Sequence, residues 1–338
     1  MTVDEPPATA ARVAVIVPVR DRRALLRAAL DALDAQTYRD FEVVVVDDAS
    51  TDGSGEEAER APVADRPVVV LRQQGHGAVR ARSLGVDATA SELLAFTDSD
   101  CAPAPGWLAA AVAAVDDGAD FVYGTTRPAR HPGPLERSVG SGEDGLFPTC
   151  NAVYRRAVFE AAGGFGDAGP QLGFRPHARA RRLGFGEDTL LGWRVKRAGG
   201  DVRHVPDALV LHHVFSPDLG DWLTRCTMAA AFPALVRAVP ELRATLVRHK
   251  VLFGARNRLP VYATLAATAG TRCRGRRRGR VLTAAALAWW AMARLRDLRR
   301  QPASWTERLV ALPQEMVLDA VTGAALVVGS ARARTLLL

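Results

Sequence analysis

Two uninterrupted apolar runs, Val13–Val17 and Val43–Val46, separated by a helical pattern, constrain this chain more than any other feature. Strand-length runs without polar alternation mark strands covered on both faces, which occur in parallel sheets flanked by helices. Between them Leu25, Leu26, Ala29, Leu30 and Leu33 recur at helical spacing, which predicts one helix, with Asp21 as its cap. The rhythm continues with a strand at Val68–Leu71, a helix across about 77–88, a strand at Leu93–Thr97, a helix across about 105–116 and a strand at Phe121–Tyr123. Alternation of this kind predicts a doubly wound α/β sheet, whose ligands bind beyond the carboxyl ends of the strands.

From 124 to 187 the sequence is rich in Gly and Pro, which predicts long loops over the sheet edge and one helical stretch near 155–162. A helix around 188–198 and a short strand at 202–211 follow. Beyond 216 the chain turns helical, alanine-rich and basic. The division expected is an N-terminal tail over 1–12, an α/β domain over 13–215 and a basic helical extension over 216–338.

With 338 residues, 48% of them hydrophobic and 24% charged, the chain has enough apolar material for a core and is neither disordered nor fibrous in composition. Residues 250–338 hold 16 Lys+Arg and 4 Asp+Glu, a net of +12, while residues 1–249 carry a net of −5. The basicity therefore belongs to the tail. Cys101, Cys150, Cys226 and Cys273 lie far apart without a CxxC spacing, which argues against a zinc module or a disulfide scaffold and for a reducing compartment. The acidic start, Met-Thr-Val-Asp-Glu, is unlike a secretory leader, so a cytoplasmic location is expected.

Acidic residues cluster at the predicted strand ends. Asp47 and Asp48 close the second run and can accept hydrogen bonds from a nucleoside, or simply cap the turn that follows. In Asp98-Ser99-Asp100, two carboxylates at i and i+2 leave a strand together, where both could reach a hard divalent cation with positions open for phosphate oxygens. Glu187 and Asp188 open a helix, where a carboxylate can serve as a cap or as a general base facing a cleft. His212 and His213 end an apolar run, where an imidazole can be structural or can join carboxylates on Mn²⁺. Arg82 could offer its guanidinium to a diphosphate or lie on a solvated helix face.

In order and spacing, Val15-Ile-Val-Pro-Val-Arg-Asp21, Leu33-Asp-Ala-Gln-Thr-Tyr38 and Phe41 through Gly53 resemble the opening of the family 2 glycosyltransferases of GT-A fold. The resemblance runs on through Ala81-Arg-Ser83, Phe96 through Asp100, Pro148-Thr-Cys-Asn151, Gly163-Gly-Phe165 and Gly186-Glu-Asp188 to His212. It implies a Rossmann-like, doubly wound mixed sheet and an inverting transferase of the hexosyltransferase kind. It also implies a nucleoside-diphosphate sugar donor, and Mn²⁺ or Mg²⁺ as cofactor. By this likeness Pro18, Asp47, Asp48, Arg82, Asp98 and Asn151 belong to the donor site. Asp98, Asp100 and His212 hold the metal, and Asp188 is the base with Glu187 beside it. The chain departs from the pattern at Pro18-Val-Arg-Asp21, where an aromatic residue and Asn are more usual, and at Ser83, where Asn is common. Residues 166–186, with Arg175, His177, Arg179, Arg181 and Arg182, suggest a mobile acceptor loop.

Two rival readings stay open at this stage. One is a catalytically silent nucleotide-sugar-binding or scaffold protein. The other is a nucleotidyltransferase, which calls for a glycine-rich phosphate loop near the first strand; Val13–Asp21 contains no glycine. The acceptor is open among a lipid carrier, a polysaccharide end and a small molecule. Val281–Ala293 is apolar for 13 residues between arginines, about 20 Å of helix, too short to span a bilayer alone. It fits either a helix lying in the membrane interface, with residues 270–300 at the inner face of the plasma membrane, or a buried bundle helix. Nucleic acid is not expected as a partner, because aromatic residues are absent between Tyr262 and Trp289.

Overall fold

The computed structural model describes residues 11–166, 168–173, 184–248, 252–253, 259–270 and 276–337. Its contacts divide the chain into two compact units. One comprises 1–129, 139–171 and 177–213, and the other 130–138, 172–176 and 214–338.

The first unit is built on an eight-stranded sheet. In chain order its elements are β1 (Val13–Val19), α1 (Arg23–Asp34), β2 (Phe41–Asp48), α2 (Ser54–Glu59), β3 (Val69–Gln73), α3 (Ala78–Asp87), β4 (Leu93–Phe96), β5 (Cys101–Pro103), α4 (Trp107–Asp116), β6 (Phe121–Pro128), β7 (Ala152–Arg155), α5 (Arg156–Ala161), α6 (Glu187–Arg197) and β8 (Val202–His212). The strand order is β3-β2-β1-β4-β7-β6-β8-β5. β3, β2, β1 and β4 are mutually parallel, as are β6 and β8, while β7 runs antiparallel to both neighbours and β5 runs antiparallel to β8.

Every residue of β1 is buried, because its alternating side chains enter two different cores. Val13, Val15 and Val17 meet Leu26 and Leu30 of α1 and Trp107 and Val112 of α4, whereas Ile16 joins Val44, Val46, Ala81 of α3 and Leu191 of α6. The α3 helix approaches so closely that a Cβ on Gly85 would sit 2.6 Å from Ile16 Cγ2.

Two local expectations are corrected. Asp21 does not cap α1: it lies at φ 48° and its carboxylate accepts from Thr51 N at 2.7 Å. The first turn is held instead by the β2 loop, with Arg23 N donating to Asp52 Oδ2 at 2.8 Å and Arg22 N to Ser54 Oγ at 3.1 Å. Residues 124–187 do not form only loops over the sheet edge. Ala152–Arg155 is a strand in the middle of the sheet, antiparallel to both β4 and β6. The structure also holds β5, a three-residue strand in the Pro-bearing stretch after Asp100, for which the sequence carries no pattern. The proposed acceptor loop over 166–186 lies largely outside the described residues.

The second unit is helical, with α7 (Leu219–Met228), α8 (Phe232–Ala238), α9 (Leu259–Gly270), α10 (Arg276–Leu298) and α11 (Trp305–Ala333). Ser304 and Glu307 form a reciprocal capping box at the start of α11. The 130–138 segment joins this unit through Trp222 Nε1, which donates to the Leu135 carbonyl at 2.9 Å.

Candidate active site

Topology decides which polar residues meet. Since β1, β2, β4, β6 and β8 run the same way, their carboxyl ends share one edge of the sheet. Pro18, Asp47, Asp48, Asp98 and His212 therefore gather there. After β4 the chain turns at Asp98-Ser99-Asp100 and doubles back as β5, whose Cys101 pairs with His212. A three-residue antiparallel ladder thus brings Asp100 to a histidine 112 positions away in the chain.

Asp100 is buried, with His212 Nε2 3.7 Å from its Oδ1. The His212 Nδ1 donates to the His213 carbonyl at 2.7 Å, so in the neutral ring Nε2 is the lone-pair nitrogen, directed at Asp100. His213 is exposed, which separates the two histidines of the pair. Ligand atoms of Asp100, Cys101 and His212, one from each, lie within 4.8 Å of one another, so the fold creates a Cys/His/Asp cluster that the linear spacing does not contain. The Cys101 thiol is pushed well up by its contact with Cys150 and by burial, and it stays protonated. An oxygen and an imidazole nitrogen remain, 3.7 Å apart, close enough for one divalent ion to touch both at about 2.1 Å. The carboxylate oxygen is a donor suited to Mn²⁺ or Mg²⁺, whereas the imidazole nitrogen is typical of transition-metal sites.

Arg22, which the sequence alone does not single out, lies against the same carboxylate: its Nη1 is 2.5 Å from Asp100 Oδ2. A cation already meets Asp100 there, in the form of a guanidinium. The signal that could have located it is the basic cluster Arg20-Asp-Arg-Arg23 directly after β1.

Asp98 is not brought into that cluster. Its Oδ1 accepts from Arg82 Nη2 at 2.6 Å, and Arg82 is itself 5% exposed. The Arg82 Nε is buried with no hydrogen-bond partner among the described residues. Arg82 also feels the charges of Glu187 and Asp188, which places the α6 start in the same electrostatic neighbourhood.

The α6 start depends on backbone that glycine permits. Gly186 is its N-cap at φ 78°, and a Cβ on Gly184, at φ 70°, would run into Glu187 Oε1. Neither acidic side chain caps the helix by hydrogen bonding back from the N-cap position. Asp188 Oδ1 instead accepts from Thr189 N at 2.7 Å. Asp188 is half-buried, and the protein packed around its carboxylate, together with the Glu187 charge, pushes its pKa up to about 7. Burial raises Glu187 as well.

Two expected donor contacts are engaged by the fold itself. Asp48 accepts from Gln73 Nε2 at 2.7 Å and from Gly77 N at 3.0 Å, tying β3 and the start of α3 to β2. Asn151 accepts from Trp107 Nε1 at 2.8 Å and donates to the carbonyls of Thr125 at 3.1 Å and Ala208 at 2.8 Å. Asp47 accepts from Ser50 N at 2.9 Å, and Pro18 is buried beside Val46 in β1.

This mixed sheet, with acidic residues gathered at its carboxyl edge, has the GT-A fold of its solved structural neighbours. The mannosyltransferase PcManGT from Pyrobaculum calidifontis, solved with GDP-Man and Mn²⁺, shares this fold at 21% identity and a TM-score of 0.58, over 95% of this chain and 91% of that one. Residues 14–138 match the model of Glycosyl transferase family 2. Glycosyltransferase AglE of Haloferax volcanii is 34% identical over 116 residues, 33% of this chain and 38% of that protein. The pre-mycofactocin glycosyltransferase of Mycobacterium tuberculosis is 28% identical over 257 residues, 70% of this chain and 50% of that protein. The chain thus spans half or less of the length of these two relatives.

Proposed function

We propose that this chain is an inverting glycosyltransferase that moves a sugar from a nucleoside-diphosphate donor to an acceptor hydroxyl with the help of a divalent cation. The observation that carries this reading is that the acidic sheet edge and the acidic start of α6 both act on Arg82. Asp100 with His212 offers an oxygen and a nitrogen donor to a cation, while Asp188, with a pKa of about 7, is matched to proton transfer near neutrality.

Asp188 accepts the proton of the acceptor hydroxyl as that oxygen forms its bond to the anomeric carbon and the bond to the diphosphate breaks. Attack from the face opposite the leaving group inverts the anomeric centre. Arg82, buried and with Nε unpartnered, points a fixed positive charge at the diphosphate, and Asp98 keeps its guanidinium in place. Asp47 remains the acidic residue available to the nucleoside at the end of β2. Asp48 and Asn151 shape the pocket from behind through their bonds to the fold. Asp100 and His212 hold the cation, which when bound supplies Lewis-acid neutralisation of the growing diphosphate charge. The transferase module corresponds to 13–215 and the extension to 216–338. The acceptor is a lipid carrier, a polysaccharide end or a small molecule bearing a free hydroxyl.

A thermal-stabilisation panel of nucleotide sugars that includes GDP-mannose, run with and without Mn²⁺, tests the reading. A true donor at a hundred times its dissociation constant stabilises the folded state by about 2.7 kcal/mol. The shift should need Mn²⁺ and should vanish in Asp100→Ala. A donor shift of equal size in the absence of any divalent ion, or in Asp100→Ala, would overturn the metal assignment. The silent-scaffold reading demands binding without sugar transfer, so product formation in the same tubes decides against it.

A further inference from the structure

The two longest helices of the C-terminal unit turn large apolar residues outward while burying Arg294, Glu315 and Asp319 among apolar neighbours. Along α10 the exposed positions include Val281, Leu282, Trp289 and Met292, with Val281 64% and Met292 65% exposed. They recur at i, i+1, i+8 and i+11, which is one face of a helix, and no charged residue stands between 281 and 293. The opposite face is buried and carries Arg294 and Trp290. Along α11 the exposed apolar positions include Leu309, Val310, Val317, Val327 and Val328, again one face, and Val310 is 74% exposed. The acidic residues of α11 between 309 and 331, Glu315 and Asp319, are both buried.

Those buried charges pair across the two helices. Arg294 Nη1 lies 3.5 Å from Glu315 Oε2, and Trp290 Nε1 donates to Asp319 Oδ2 at 3.2 Å. Because 290 meets 319 and 294 meets 315, α10 and α11 form an antiparallel hairpin. Water would favour the reverse arrangement, with charges outward and apolar faces inward. In hydrocarbon, the observed arrangement is the stable one. The uncharged outer stripe of α11 from 309 to 331 extends about 33 Å, the thickness of a bilayer's hydrocarbon core, and α11 is long and apolar enough to cross one. Cations stand at the margins of the stripe. At the hairpin tip Trp305 is 52% exposed and is flanked by the guanidiniums of Arg299 at 5.2 Å and Arg308 at 5.3 Å; Arg332 and Arg334 stand at the other end of α11. An interfacial aromatic between arginines suits an anionic headgroup layer.

We propose that the outer faces of α10 and α11 are seated in the hydrocarbon of a lipid bilayer containing anionic lipid, with the arginines at the headgroups. The occupant of this surface is lipid, rather than a second copy of the chain. The apolar run at 281–293 is thus the shorter half of the lipid-facing surface, and α11 is the longer.

Flotation of the full-length protein with phosphatidylcholine vesicles, with and without phosphatidylglycerol, tests this. The protein should float with the mixed vesicles and more weakly with phosphatidylcholine alone. Brominated lipid should quench Trp289 and Trp305. The surface variant Val310→Gln/Val317→Gln/Met292→Gln, whose positions are exposed and leave the buried pairs intact, should lose vesicle partitioning by about tenfold or more. Its helical circular dichroism should be unchanged. Three outcomes overturn the proposal: a lipid-free protein that is soluble, monomeric and does not float; partitioning indifferent to the triple substitution; or a lipid-independent dimer that the same substitutions dissociate.

Discussion

Asp188→Asn separates a catalytic base from a helix-start carboxylate, because the two roles move stability and activity in opposite directions. The Asp188 pKa of about 7 stands roughly three units above the ordinary value near 4, and each unit corresponds to about 1.4 kcal/mol. The folded state holds its proton more tightly than the unfolded chain does. The unfolded carboxyl ionises near pH 4 while the folded one waits until about 7, so wild-type stability falls as pH rises through that window and is level above it. The full linkage is about 4 kcal/mol. Since Asp188 is only half-buried and shares its titration with Glu187, about 2 kcal/mol is the working magnitude. Asn carries no charge to bury, so Asp188→Asn should be about 2 kcal/mol more stable than wild type at pH 8 and equal to it at pH 4. Denaturant titrations of both proteins at the two pH values measure this. Transfer by the variant should fall by ~10²- to 10⁴-fold, and wild-type kcat/KM should rise with pH through an apparent pKa near 7. Near wild-type turnover in Asp188→Asn, or a stability difference that does not depend on pH, would refute the assignment.

Arg22→Ala should tighten Mn²⁺ binding, because it removes a guanidinium that already meets Asp100 at 2.5 Å; with Arg22 about a third exposed the effect is roughly 1 kcal/mol, or about fivefold. Calorimetric titration of the metal alone reads it, and weaker binding in the variant would show Arg22 to be supportive of the cation. Asn151→Ala should cost about 2–4 kcal/mol, since it strips Trp107 Nε1 and the Ala208 carbonyl of buried partners. Denaturant unfolding checks this, and a variant of unchanged stability with weakened donor affinity would return Asn151 to direct sugar contact.

What could be read from the sequence was what short-range periodicity encodes. β1 and β2 announce themselves as unbroken apolar runs of strand length and α1 by apolar residues at period 3.6, and the acidic strand ends follow from those boundaries. β5 and β7 do not, since three or four residues among prolines and glycines carry no period, and only pairing with distant strands makes them strands. The same reason explains the division of the DxD pair. In an extended strand, residues at i and i+2 share a face, and a common ligand would be natural. Here Asp98 and Asp100 lie in a turn, so Asp98 falls to Arg82 on α3 and Asp100 to Arg22 and His212. The choice is made by tertiary neighbours 16, 78 and 112 positions away, which local spacing does not report. The tail follows the same logic. An apolar run with arginines at its ends is visible at 281–293, but a run apolar on nearly all sides has no readable outer face. Its outer face is defined only once Arg294 and Trp290 find Glu315 and Asp319, and that pairing turns the remaining apolar surface outward.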